Sequence, residues 1–212
     1  MLIFHVNITN MKLKSATRPY LQKARAQSAE ATAQRIIDAF LARLMSQWFD
    51  EITLDLIAAD AGVTVQTVVR RFGSKEGLLS NAVKIMGAQI NAQRATPSGD
   101  ITALVDHLLE DYEKTGDPII RLLALEPRHA PLKEVLDFGR SEHRQWVSDA
   151  FAEQLDKLDA TTRKCAIDAL VIDTDVYTWK LLRRDMARSR TEAAAMIKVL
   201  IQGTLSEFSE PD

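Results

Sequence analysis

One cysteine, Cys165, stands in 212 residues. A single thiol excludes an internal disulfide and any cysteine-cluster metal site, and it suits a reducing compartment. Glycine and proline are scarce, at 8 and 6 residues, and almost no stretch alternates apolar and polar residues. Those two shortages argue against a fold of strands and tight turns. No run approaches the roughly 18 apolar residues that a membrane helix needs. The opening MLIFHVNITNMK holds no apolar run long enough for a signal segment. Gly-rich phosphate loops, a nucleophile elbow and paired catalytic carboxylates are missing as well. His107, His129 and His143 lack ligand spacing with carboxylates. The expectation is a soluble cytoplasmic protein, not an enzyme, with no metal, no cofactor and no membrane contact.

What is present is helical periodicity. Hydrophobic residues make up 46% and charged residues 26%, as in ordinary globular chains. The charge is uneven. Residues 1–76 hold 10 Lys+Arg against 7 Asp+Glu, and residues 77–212 hold 17 against 22, so a basic N-terminal part precedes an acidic remainder. Only one end is suited to an anionic partner. The spacing predicts about nine helices, and the fold class is all-α. The first is expected over 31–45, where Ile36, Ile37, Phe40, Leu41 and Leu44 recur at helical intervals. A short second helix follows Thr53 as its N-cap, and Thr64 caps a third that Gly73 ends. A fourth opens at Lys75. "TPSGD" at 96–100 breaks the chain, with Asp100 as the next cap, and "GDP" at 116–118 is read as another break. Long helices are expected over 132–158, 161–186 and 191–208.

The stretch AGVTVQTVVRRFGSKEGLL, residues 61–79, is a turn with glycine between two short helices. Val65, Val68 and Phe72 share one face of the second helix, which leaves Thr64, Gln66, Thr67, Arg70 and Arg71 on the other. That set suits a major-groove reader: Gln pairs bidentately with adenine and Arg with guanine, while Thr reaches a phosphate or a thymine methyl. Lys75 opens the following helix, where backbone N–H groups already favour a phosphate. Basic pairs at a helix end are also common as a plain solvated face.

ITLDLIAADAGVTVQTVVRRFGSKEGLL, residues 52–79, resembles the DNA-binding region of TetR-family transcriptional regulators. The matching positions are Thr53, Ile57-Ala58, Ala61-Gly62-Val63, Thr67, Phe72, Ser74-Lys75-Glu76 and Leu78-Leu79. Two positions depart from the family pattern. Gln66 stands where glycine is usual, and Val69 where a tyrosine hydroxyl grips a phosphate; Arg71 is placed to compensate. The resemblance implies a three-helix helix-turn-helix domain over 30–76; residues 1–29 before it lack sustained periodicity and are read as a partly disordered basic arm. A helical ligand-binding and dimerisation domain would occupy 77–212. It implies a homodimer on a palindromic double-stranded operator, released by an unknown small-molecule effector. The expected DNA-contacting residues are Thr53, Thr64, Val65, Gln66, Thr67, Arg70, Arg71 and Lys75. The implied pocket is lined by Leu108, Tyr112, Phe138, His143, Trp146, Val147, Asp173 and Tyr177. Asp173 stands out as a carboxylate on an apolar face, whose partner is a base, the dimer seam or a ligand. Val176, Met196, Ile197, Leu200, Ile201, Thr204, Leu205 and Phe208 are expected at the dimer interface. The alternative is a helical ligand carrier or enzyme whose helix-turn-helix is only structural.

Overall fold

The computed structural model describes residues 17–93 and 100–209, and all regular structure among them is helical. The elements are α1 (Thr17–Leu44), α2 (Leu54–Ala61), α3 (Val65–Phe72), α4 (Lys75–Gln93), α5 (Ile101–Leu125), α6 (Leu132–Ala150), α7 (Ala152–Leu155), α8 (Ala160–Thr174), α9 (Val176–Lys180) and α10 (Arg190–Glu207). Setting aside the single turn α7, nine helices are described, and the all-α expectation holds.

Several boundaries follow directly from capping chemistry. Thr53, Thr64 and Asp100 accept hydrogen bonds from Leu56, Thr67 and Ala103 N–H at 3.3, 3.2 and 2.9 Å. Each fills one of the donors that a helix start leaves open. Ser189 and Glu192 form a reciprocal capping box at the start of α10.

Elsewhere the structure departs from expectation. α1 begins at Thr17, so the second half of the span read as an arm is helical; residues 1–16 lie outside the described residues, as does most of the "TPSGD" break. α5 runs unbroken through Gly116 and Pro118. Proline removes one N–H, and neighbouring packing compensates: an added Cβ on Gly116 would stand 2.4 Å from the Trp179 ring, so glycine lets the indole lie on the helix backbone. The helix expected over 132–158 stops at Ala150. The one expected over 161–186 is cut at Asp175, whose backbone is extended and whose carboxylate caps α9 by accepting from Tyr177 N–H at 2.8 Å. α9 then widens into a π turn over Leu181–Asp185. Arg183 and Arg184 of that turn pair with Glu113 and Asp117 of α5, and the Arg184 guanidinium lies 4.5 Å from the Trp179 ring centroid.

Two apolar cores result. One joins α1 through α4 and also takes Leu122, Leu125, Leu132, Val135 and Leu136 from α5 and α6. The other packs α5, α6, α8, α9 and α10 around Leu108, Val147, Leu170 and Trp179. The N-terminal helices are therefore seated on the ends of α5 and α6.

Candidate nucleic-acid interface and ligand cavity

The turn between α2 and α3 depends on Gly62, whose φ of 64° is the left-handed conformation that glycine adopts without a Cβ penalty. Val63 N–H returns to Ala58 O at 3.0 Å, completing the helix end. α3 buries Val68 and half-buries Val65 and Phe72 against the first core. That orientation leaves Gln66, Val69, Arg70 and Arg71 exposed. Of the expected face, Thr64, Gln66, Arg70 and Arg71 are exposed and Thr67 is half-buried, while Val65 is half-buried against the core.

Three predicted contact residues are partly committed. The hydroxyls of Thr64 and Thr67 lie 3.0 Å apart within the α3 cap. Arg71 donates to Glu30 of α1 at 3.2 Å. A cleft between α1 and α3 is lined by Ser28, Ala29, Thr32, Thr67, Arg70 and Arg71. The N-terminal extension of α1 thereby joins the basic end of α3 at one surface.

Lys75 is placed differently from its sequence reading. Its ammonium turns inward and donates to the carbonyls of Phe49 and Ile52 at 2.6 and 2.7 Å. It also sits 4.4 Å from the centre of the Phe49 ring. Burial holds it below the ordinary lysine range, against the pull of Glu76 and Asp50. The side chain ties the start of α4 to the loop before α2, where Phe49 O also accepts from Ile52 N–H at 3.3 Å.

Further contacts brace this domain. Arg43 of α1 grips Asp60 of α2 with two hydrogen bonds of 2.5 and 3.0 Å. His129 lies 3.1 Å from Glu76 and stands edge-on to Phe49, with ring centres 5.6 Å apart. Glu76 is depressed below the usual carboxylate range: burial opposes this, and hydrogen bonds from backbone, Ser74 and His129 outweigh it.

A cavity of about 270 Å³ opens between α4, α5, α6, α8 and α9. Of the eight predicted lining residues, Tyr112, Phe138, His143 and Tyr177 reach it. Leu108, Trp146 and Val147 belong instead to the second core, where their long apolar faces are consumed by packing. Asp173 is buried against α10 and accepts from the Thr204 hydroxyl at 2.7 Å. Burial raises its carboxyl above the ordinary range, and the Thr204 bond partly offsets that. Residues that sequence reasoning missed include Met86, Ile119, Leu123, Gly139, Arg140 and Asp175. The Asp175 break carries a signal, since an Asp before Val-Tyr-Thr-Trp reads as an N-cap.

The predicted interface residues also divide. Val176 is buried and lines the cavity, and Ile197 and Ile201 are buried in the second core. Thr204, Leu205 and Phe208 are half-buried. Met196 and Leu200 do face outward, as do Val199 on α10 and Ile172 on α8, which are 59% and 66% exposed. A helix surrounded on three sides shows a broad apolar stripe, and the stripe alone does not reveal which edge is covered within the monomer.

Among the described residues no cluster of metal-ligating side chains occurs, and no helix is long and apolar enough to cross a membrane.

Comparison with known proteins places this arrangement. Residues 36–82 match the family model of bacterial regulatory proteins, tetR family. No curated protein sequence matches. Among solved structures, a tetR-family transcriptional regulator from Streptomyces coelicolor superposes with a TM-score of 0.68 at 15% identity, over 85% of this chain and 84% of that one. A transcriptional regulator from Rhodococcus sp. Rha1 gives 0.63 at 15% identity, over 87% and 100%. NalD of Pseudomonas aeruginosa, the secondary repressor of the MexAB-OprM multidrug efflux pump, gives 0.55 at 18% identity, over 82% and 96%. At these identities the likeness is one of fold.

Proposed function

We propose that this chain, whose residues 36–82 match the family model of bacterial regulatory proteins, tetR family, is a cytoplasmic, dimeric repressor released from palindromic DNA by a small-molecule effector. The match over 36–82 supports the transcriptional-regulator role and DNA binding. The observation that carries the finer reading is α4. Its first turns place Leu78, Leu79 and Ala82 in the DNA-binding core, and its next turn places Val83, Met86 and Gly87 in the cavity wall. One continuous helix therefore touches both the effector space and the support of α3.

The DNA-facing chemistry divides by residue. Gln66 and Arg70 read base edges from α3. Arg71, Ser28 and Thr32 meet the backbone, replacing the phosphate contact that Val69 does not make. Two-fold pairing of the outward faces of α8 and α10, through Ile172, Met196, Val199 and Leu200, covers an exposed apolar patch of the kind that marks an interface. A two-fold dimer sets its recognition helices about 34–36 Å apart on successive major grooves. An effector that favours another α4 orientation misplaces them. Coupling of about 1–3 kcal/mol weakens operator affinity roughly 5- to 150-fold.

Gel-shift titration of Gln66→Ala, Arg70→Ala and Arg71→Ala against operator variants tests the division. Gln66→Ala and Arg70→Ala should change the preferred sequence. Arg71→Ala should weaken all sequences alike. Uniform losses in all three variants would contradict it.

A further inference from the structure

The cavity wall has a chemical bias that narrows its ligand. Most of its lining is apolar, with Val83, Met86, Ile119, Leu122, Leu123 and Phe138 contributing. Several of its donors are already committed elsewhere. The Tyr112 hydroxyl donates to Thr174 O at 3.1 Å, and the Thr115 hydroxyl to Asp111 O at 2.8 Å. His143 Nε2 is 3.1 Å from the Thr174 hydroxyl. Arg140, the wall's one guanidinium, directs its hydrogen bonds to Glu126 and Asp137 at 2.5–2.9 Å. Two carboxylates, Glu142 and Asp175, complete the polar lining together with Tyr177. The wall's one guanidinium is thus already paired and is not free to receive an anion.

Asp175 is the pivotal group. It caps α9 through one oxygen, by accepting from Tyr177 N–H. No lysine or arginine forms an ion pair with it among the described residues, although Arg140 acts on it through space. Burial accordingly raises its carboxyl above the ordinary range. A carboxylate beside apolar walls gains most from a partner that brings a positive charge, and aromatic faces such as Tyr177 and Phe138 add cation–π attraction.

Resting on the effector-cavity reading above, we propose that this cavity takes a monocationic amphiphile, an apolar body bearing an amine or quaternary ammonium, with the headgroup against Asp175 and the apolar part among the α4–α6 side chains. Anionic amphiphiles of the same length are disfavoured by the same wall.

Isothermal titration calorimetry of the full chain with octyltrimethylammonium, octan-1-ol and octanoate tests this. The cation should bind at least about tenfold more tightly than the alcohol, with octanoate weakest. Asp175→Asn keeps an acceptor for the α9 cap and should weaken the cation about tenfold while changing the alcohol by less than about twofold. Gly139→Leu, which fills the cavity, should abolish binding of all three. Equal or tighter binding of octanoate or octanol, no binding of the cation, or an unchanged cation affinity in Asp175→Asn would overturn the proposal. These titrations contain no DNA, so their failure leaves the DNA-binding reading standing, and loss of DNA binding leaves them interpretable.

Discussion

The guanidinium of Arg121, near the end of α5, donates to the carbonyl of Leu44, the last residue of α1, at 2.9 Å. The same Nη2 reaches Met45 O, also at 2.9 Å. These carbonyls lie at a helix end, where no intrahelical donor is available and a cation meets the negative end of the dipole. The adjacent residues Leu122 and Leu123 line the cavity. Arg121 is thus a second connection, after α4, between the cavity wall and the DNA-binding helices.

Arg121→Ala should cost about 1–3 kcal/mol of stability, since it strips two carbonyls of a charged donor. It should also weaken operator binding while leaving ligand affinity of the cavity within about twofold. Thermal melts, DNA titration and calorimetry on one preparation check this. A DNA affinity equal to wild type in a fully folded variant would rule out the connection.

Lys75→Ala should lower the melting temperature and weaken binding to every DNA sequence, because the start of α4 loses its tie to Phe49 and Ile52. An inward-facing ammonium neutralises no phosphate. The slope of log affinity against log salt should therefore stay unchanged, whereas a phosphate contact would reduce it by about 1. DNA titrations at several salt concentrations distinguish the two.

Gly116→Ala and Gly139→Ala should have opposite signs. A methyl on Gly116 meets the Trp179 ring at 2.4 Å, whereas one on Gly139 meets nothing within 4 Å. The first should cost about 1–3 kcal/mol through overpacking. The second should stabilise by up to about 1 kcal/mol through helix propensity. Denaturant midpoints of the two variants are the readout.

Glu113 lies well below the usual carboxylate range, first because Arg183 hydrogen-bonds it, with burial opposing and Trp179 N–H assisting. A depressed folded-state value means that its contribution is complete above the unfolded value of roughly 4.3 and is lost as pH falls through the lower folded value. Wild type should therefore lose about 1–2 kcal/mol more than Glu113→Gln on acidification below about pH 4. Chemical denaturation across pH 3–7 measures the difference, and parallel pH profiles would contradict it.

The legible parts of this fold are those that local chemistry decides. Thr53, Thr64 and Asp100 were readable as caps because a side-chain oxygen beside open N–H groups has few other uses. The face of α3 was readable because a short helix on a core has one buried side. The interior was less so. Gly116-Asp117-Pro118 resembles a break, and only the indole of Trp179, 63 positions away, explains why the helix continues. Leu108 and Phe138 look alike in sequence, yet packing sends one to the core and the other to the cavity. Lys75 carries a charge that reads as outward-facing until two carbonyls from another element are set beside it.

In the function proposed above, two copies of this chain read a symmetric DNA site through α3. Selection of bound duplexes from a random pool by the purified full-length protein, followed by sequencing, tests it most directly. The account predicts an enriched inverted repeat with half-site centres about one helical turn apart, whose enrichment disappears in Arg70→Ala. Recovery of no motif, or of a single unpaired half-site, would contradict it.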